Sequence, residues 1–427
     1  MSVFKGGVRA IRACNLSAGV WVGIFLASGA FAQKTLTWED AKRELRATNP
    51  TLVAQQIEVQ QSRTNEITAY LRPNPDLTVS VDQLTFLPSE SVFRPFTDAL
   101  PFVGGSYLIE RRHKRDLRRQ SARAGTSISV SELADEERNL LFDLRGAFIL
   151  VLQNKAVLAL ARDSLGYYDR VLDVSRDRLR AGDIAEIDFK RLELQRLQFE
   201  TDVESARVNL QTAKIQLRAL LNDRTALDQL EVTGRFDFTE TIPALDGLRQ
   251  TATENRPDLR AAQQAVQKAE VDHRLAIANG STDPTIGWNV ARDPPIRAFV
   301  GFSVTIPIRM FDRNQGEKER TRLDIERQRR LVEGTRIQVL SDVESAFESV
   351  QSSLRLLRPY RVHYLEEAAE VRETIWFSYQ SGEASLLEFL QAQQDYRQVY
   401  LSYLNLVGSY LTAVNQLNLA VGLEVVP

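Results

Sequence analysis

Arg178-Leu179-Arg180-Ala181-Gly182-Asp183-Ile184-Ala185-Glu186-Ile187-Asp188-Phe189 returns two hundred residues later as Ser378-Tyr379-Gln380-Ser381-Gly382-Glu383-Ala384-Ser385-Leu386-Leu387-Glu388-Phe389. In both copies a long helical pattern runs into a glycine, and an acid followed by phenylalanine opens a second helix. Glycine ends helices because it takes positive φ without a side-chain clash. Each copy therefore reads as the tip of a helical hairpin, and the pair as an internal duplication.

Upstream of the first tip, Leu144, Val151, Leu158, Leu165, Leu172 and Leu179 recur every seventh residue. Ala147, Asn154, Ala161, Tyr168 and Ser175 hold the partner positions of the seam, and mostly small residues there let helices approach closely. The stretch predicts a helix of about seventy residues, on the order of 100 Å long. The return seam runs Phe189, Leu192, Phe199, Val203, Ala206, Leu210, Ala213, Leu217, Leu220, with Arg196 as its one break. Residues 223–243 read as an irregular connector. The second long helix is expected from near Gly316 to Gly382, with a kink at Pro359. Its return seam carries Phe389, Tyr396, Tyr400, Tyr403, Val407, Tyr410, Val414, Leu417 and Val421.

Ahead of each hairpin stands a shorter helix and a pair of strands. Trp38 to Leu71 reads as a helix with Thr37 as N-cap, interrupted at Asn49-Pro50 and stopped by Pro73-Asn74-Pro75. Arg256-Pro257 repeats the interruption. Asp76 to Asp82 alternates apolar and small polar residues at the strand period of two, and Phe102 to Ile109 reads as a second strand. Thr285 to Val290 and Val300 to Ile306 answer them, with Val300, Phe302, Val304 and Ile306 on one face.

The N-terminus has its own logic. Lys5, Arg9 and Arg12 precede an apolar run from Ala18 to Leu26, and Ala30-Phe31-Ala32 completes a secretory signal over residues 1–32, cleaved after Ala32. The only cysteine, Cys14, would leave with it, so no disulfide or thiolate metal ligand is expected. The remaining chain divides into a first repeat, 33–230, and a second, 231–427. A formal net charge of -2 supplies no field towards nucleic acid. No later run is apolar and long enough for a membrane-spanning helix, so a membrane could be crossed only with strands. His113, His273 and His363 are scattered and suggest no metal site. No nucleophile–base grouping or phosphate loop points to an enzyme or a cofactor.

Each strand approximates the length that crosses an outer membrane, with one apolar and one polar face. Four strands cannot close a barrel, and open edges in lipid leave backbone groups unpaired, so at least two copies must share one barrel. The expected fold is mainly α with a small β part: duplicated coiled-coil hairpins forming a periplasmic tunnel, rooted in a shared outer-membrane barrel. Phe86, Phe93, Phe96, Phe102, Trp288 and Phe299 are candidates for its aromatic girdles. The basic cluster Arg111, Arg112, Lys114, Arg115, Arg118 and Arg119 reads first as a solvated helix face.

This plan over about residues 33–422 resembles the TolC-like outer-membrane efflux protein family. The resemblance rests on Pro50 and Pro257, the turns at Gly182 and Gly382, the acids Asp188 and Glu388, and Pro359. The segment from Ile306 to Gly316 is similar to the strand-to-helix junction of heavy-metal cation efflux members. The resemblance implies a homotrimer with a twelve-stranded barrel in the outer membrane of a Gram-negative bacterium. It further implies a passive exit duct for small molecules or metal cations, met at its tip by a periplasmic adaptor (membrane fusion protein) and an inner-membrane transporter of the RND type. Alternatives are an outer-membrane channel for type I secretion and a periplasmic scaffold without a pore. By the same resemblance, Gly182, Asp183, Ile184, Gly382, Glu383 and Ala384 would contact the adaptor, and Asp188 and Glu388 would line the aperture gate. The family's second gate acid is replaced here by Gln391, and acids follow both tip glycines. Locally, Asp188 and Glu388 are also what a helix N-terminus favours.

Overall fold

A computed structural model describes residues 34–84, 96, 99–293 and 296–426. The expected signal segment, Phe86, Phe93 and Pro294-Pro295 lie outside the described residues.

Strand β1 (Lys34–Leu36) leads into helix α1 (Trp38–Thr48). Thr37 caps α1 in a reciprocal box with Asp40, and Ala41 and Leu45 are buried beneath it. Asn49 ends α1 and caps α2 (Pro50–Tyr70), its side-chain oxygen accepting from the N–H groups of Thr51 and Leu52. A proline at the first helical position loses no hydrogen bond, so the break costs little. The second repeat solves the same corner differently. Between α5 (Leu245–Asn255) and α6 (Pro257–Asn279), Arg256 sits buried and bonds Asp258 at 2.6 Å and Asp342 at 2.8 Å.

Strands β2 (Asp76–Asp82), β3 (Leu100–Leu108), β5 (Thr285–Asp293) and β6 (Ile296–Thr305) form one antiparallel sheet in the order β2-β3-β5-β6. Between β3 and β5 intervene the first hairpin and β4 (Leu230–Val232), which pairs parallel with β1. The register aligns Val79, Val103, Val290 and Val300 in one row, and Leu77, Gly105, Trp288 and Phe302 in another on the same face. That face is bare: Phe302 is 86% exposed and Val79 66%. The opposite face carries the row Thr78, Gly104, Asn289, Gly301. Two glycines are dictated by close approach. A Cβ on Gly105 would stand 2.8 Å from the Trp288 indole nitrogen, and one on Gly301 2.5 Å from the Asn289 side-chain oxygen.

The girdle expectation needs correction. Phe102 and Phe299 share the row of Ser80 and Ala291, which stands on the polar face. Strand parity decides this, since neighbouring residues point to opposite sides. Trp288, by contrast, lies on the apolar face.

From the sheet, α3 (Lys114–Ala181) runs 68 residues to the first tip and α4 (Glu186–Leu220) returns. The second long arm is α7 (Gln315–Pro359), a π-turn (Tyr360–Tyr364), then α8 (Leu365–Ser381), with α9 (Leu386–Val421) returning. At Pro359, which has no N–H to donate, the helix widens by one π-turn and continues. Near the sheet, α2, α3, α6 and α7 pack side by side; towards the tips, α3, α4, α8 and α9 do. Two cores mark the change-over: one under α1 and β1 around Leu144, Phe148 and Leu217, the other under α5 around Val343, Val350 and Leu417. The seam positions are thus buried or half-buried, with Leu144, Val151, Leu158 and Leu172 buried and Leu165 and Leu179 half-buried, and the Arg196 break is filled by an ion pair to Asp169 at 2.6 Å.

Two further expectations change. The connector contains a 3-10 turn (Leu227–Gln229) and β4, both too short to show a period. The basic cluster is a solvated face only at Arg111 and Arg112, which are exposed. Lys114 is buried and bonds Asp283 at 2.6 Å and the Ser281 carbonyl at 3.0 Å. Arg118 pairs with Glu110, and Arg115 and Arg119 stack on the Tyr70 ring at 4.3 and 4.1 Å. These residues tie α3 to the ends of α2 and α6 beneath the sheet.

Candidate functional site

Both tips have the same backbone. Gly182 has φ 86° and Gly382 φ 82°, and the following acid donates its N–H back into the helix: Asp183 to the Arg178 carbonyl at 2.9 Å, Glu383 to that of Ser378 at 2.8 Å. A Cβ at either glycine meets nothing within 4 Å, so backbone conformation alone requires glycine. Gly182→Ala should cost about 1 kcal/mol locally, read as amide exchange at Asp183 and Ile184 about fivefold faster, with the far junction core unchanged.

The two acids six residues on are not equivalent. Ser385 caps α9: the Glu388 carboxylate accepts the Ser385 N–H at 2.7 Å and hydroxyl at 2.8 Å, while the Glu388 N–H donates to that hydroxyl at 3.3 Å. The Ser385 N–H and then its hydroxyl hold Glu388 below the usual glutamate range. This capping contribution is present above the ordinary carboxylate pKa and is lost as pH falls through the lowered one. In the first repeat Ala185 stands at the cap and offers no side-chain bond, and Asp188 faces Arg191 at 3.5 Å. Glu388 is exposed and Asp188 half-exposed.

An aromatic core gathers the two tips: Tyr167, Tyr168, Phe189, Phe199, Tyr379 and Phe389 are its large members. Tyr379 stacks on Phe389 at 5.3 Å, and Tyr168 on Phe199 at 4.6 Å. Three arginines cross from hairpin to hairpin. Arg178 donates to the Tyr379 carbonyl at 2.8 Å and lies 5.1 Å from its ring centre. Arg372 sits between the rings of Tyr167 at 4.4 Å and Tyr396 at 3.8 Å. Arg397 pairs with Asp202.

All eight residues singled out in the sequence therefore lie on the two adjoining tips, and the six expected to contact the adaptor fall into two classes. Gly182, Asp183, Gly382 and Glu383 face outward, whereas Ile184 and Ala384 are half-buried against the aromatic core. Sequence reasoning passed over Ile187 and Leu387, which are 59% and 75% exposed in the first turns of the return helices. Their signal was available, as apolar residues off the seam and two hundred apart. The tyrosine stripe serves packing. Tyr410 is buried with its hydroxyl donated to the Thr239 carbonyl at 2.8 Å, and Tyr396 and Tyr400 lie 4.4 Å apart.

The histidines lie apart. His113 is near Asp116 at 3.6 Å, His273 bonds the Thr321 hydroxyl at 2.9 Å, and His363 meets Glu367 at 3.1 Å. Among the described residues no group of three His, Cys, Asp or Glu is arranged to hold a metal ion.

Residues 248–423 match the family described as outer membrane efflux protein. The chain is 23% identical over 320 residues to the cobalt-zinc-cadmium resistance protein CzcC of Cupriavidus metallidurans, covering 74% of this chain and 75% of that one. Its fold superposes on that of CusC with a TM-score of 0.76 at 17% identity, over 90% of this chain and 92% of the other. It also superposes on the open-state outer membrane channel MtrE of Neisseria gonorrhoeae, with a TM-score of 0.73 at 17% identity over 91% and 89%.

Proposed function

We propose that the chain is a member of the TolC-like outer membrane efflux protein family, as the match of residues 248–423 supports, and that its two ends work as a passive exit duct of a tripartite efflux pump. The observation that carries the reading is the four-stranded sheet with one bare apolar face, whose outer edges at β2 and β6 pair with no other strand among the described residues. Such a sheet suits lipid only when neighbouring copies pair with its edges. Three copies give twelve strands, a number compatible with an outer-membrane barrel. The long hairpins then extend into the periplasm as the tunnel wall. The mature chain begins after Ala32, as the signal pattern supports.

The tip residues Gly182, Asp183, Gly382 and Glu383, with the exposed Ile187 and Leu387 beside them, form the surface offered to a periplasmic adaptor. Ile184 and Ala384 act from behind, holding that surface on the aromatic core. The inner-membrane transporter is of the RND type, and divalent metal cations are the favoured cargo. That choice is supported by the likeness to a cobalt-zinc-cadmium resistance protein. The chain conducts such ions without coordinating them tightly. Asp188 and Glu388 line the aperture, and three copies of Glu388 concentrate cations there.

Reconstitution in a planar bilayer should give ion conductance from an oligomer recovered in the outer-membrane fraction; a soluble periplasmic monomer without conductance would overturn the reading. Disruption of the gene should sensitise cells to cobalt, zinc or cadmium, whereas loss of a secreted protein instead would favour type I secretion. Glu388→Gln tests the gate cleanly, because glutamine also serves in a capping box and the helix start survives. Cation preference at low salt should fall by about half; unchanged selectivity would remove Glu388 from the constriction.

A further inference from the structure

A cleft of about 400 Å³ lies far from both tips, where the two repeats meet beside the first junction core. Its floor is α3, one wall is α1 and the other the end of α9. The walls are joined at one end by Glu424, which accepts from the Trp38 indole N–H at 2.8 Å and from Lys42 at 3.1 Å. At the other end Arg46 bonds Glu137 at 2.6 Å, and on the floor Arg138 bonds Asp135 and the Leu419 carbonyl, each at 2.6 Å.

Every cation of the cleft is thus matched except one. Arg145 lies with its guanidinium over the Trp38 ring, 4.6 Å from the ring centre. Among the described residues no carboxylate lies within 4.0 Å of it and no oxygen accepts its N–H groups. Burial depresses its pKa, and Glu424 and Glu39 act on it only from a distance. A half-buried guanidinium that keeps its charge without an acceptor is costly, because the lost hydration is not replaced. The contact with the Trp38 ring leaves the N–H edge without a hydrogen bond among the described residues, and such an edge receives a planar carboxylate. Leu141, Phe142, Leu419 and Leu423 supply apolar lining beside that edge.

We propose that this cleft between the repeats is a binding site for a small organic carboxylate with an apolar body, its carboxylate on Arg145 and its body against the Leu141–Leu423 lining. The volume suits a ligand of one ring or a short chain. Occupancy links α1 to the end of α9.

The test is equilibrium dialysis of radiolabelled 4-phenylbutyrate against the purified oligomer in a neutral detergent, with empty micelles subtracted. 4-Phenylbutanol serves as the uncharged match. One saturable site per chain is expected, with the carboxylate at least about tenfold tighter than the alcohol, as a charge-assisted bond replaces a neutral one. Arg145→Gln should abolish that difference while the oligomer persists on sedimentation. Leu423→Trp keeps Arg145 but closes the apolar end, and should weaken the carboxylate about tenfold or more. Equal binding of acid and alcohol, or binding of the acid unchanged in both variants, overturns the proposal. Conductance is not required by any arm, so a failed site and a failed channel are distinguishable.

Discussion

Val290→Arg is expected to abolish the assembled outer-membrane form, while Asn289→Arg, one residue earlier on the same strand, leaves it intact. Val290 stands mid-strand in the row Val79, Val103, Val290, Val300, on the apolar face. Arginine near the middle of a lipid-facing strand costs about 2–4 kcal/mol, and each copy sharing the barrel would carry it. Asn289 belongs to the opposite row with Thr78, Gly104 and Gly301. There glycines on two neighbouring strands leave room for a longer side chain, and water solvates the charge. Semi-native electrophoresis of outer-membrane fractions measures both. Equal tolerance of the two arginines would mean that the apolar face does not meet lipid.

The second large effect is expected at the tips. Arg178→Ala combined with Arg372→Ala should raise the fraction of time the tip is open, read as single-channel conductance. Arg178 holds the Tyr379 carbonyl of the other hairpin, and Arg372 bridges Tyr167 of the first hairpin and Tyr396 of the second. A charge-assisted bond of the first kind and a partly desolvated cation–π contact of the second are each worth about 1–2 kcal/mol. Losing both should shift a two-state tip by about thirtyfold to several hundredfold. Arg180→Ala is the control, since Arg180 is exposed and pairs with Asp177 within its own helix. A double variant that conducts like the parent would show that the aromatic core and the Arg397–Asp202 pair suffice to hold the hairpins together.

The candidate site was half legible in the sequence. Gly182 and Gly382 announced themselves because positive φ is a property of one residue and its helix. Their flanking acids followed from position alone. The roles of Ile184 and Ala384 were not legible, because facing the aromatic core rather than solvent depends on how one hairpin leans on the other. Ser385 and Glu388 form a capping box three residues apart, a local pattern open to sequence reasoning, which nonetheless stopped at the helix dipole. The basic cluster was misjudged for a physical reason: its partners Asp283 and Ser281 lie about 170 residues away.

What this sequence determined by itself is everything with a period or a local backbone demand: the duplication, the long hairpins, the strand faces and the prolines that divide the first helices. Heptads, alternation and glycine φ act within a few residues, so a single strand of text carries them. Only the tertiary structure decided which cations cross between hairpins and that β1 pairs with β4. It alone leaves Arg145, among the described residues, without an anion beside Trp38. Those outcomes depend on distances between segments far apart in the chain, and no local periodicity records them.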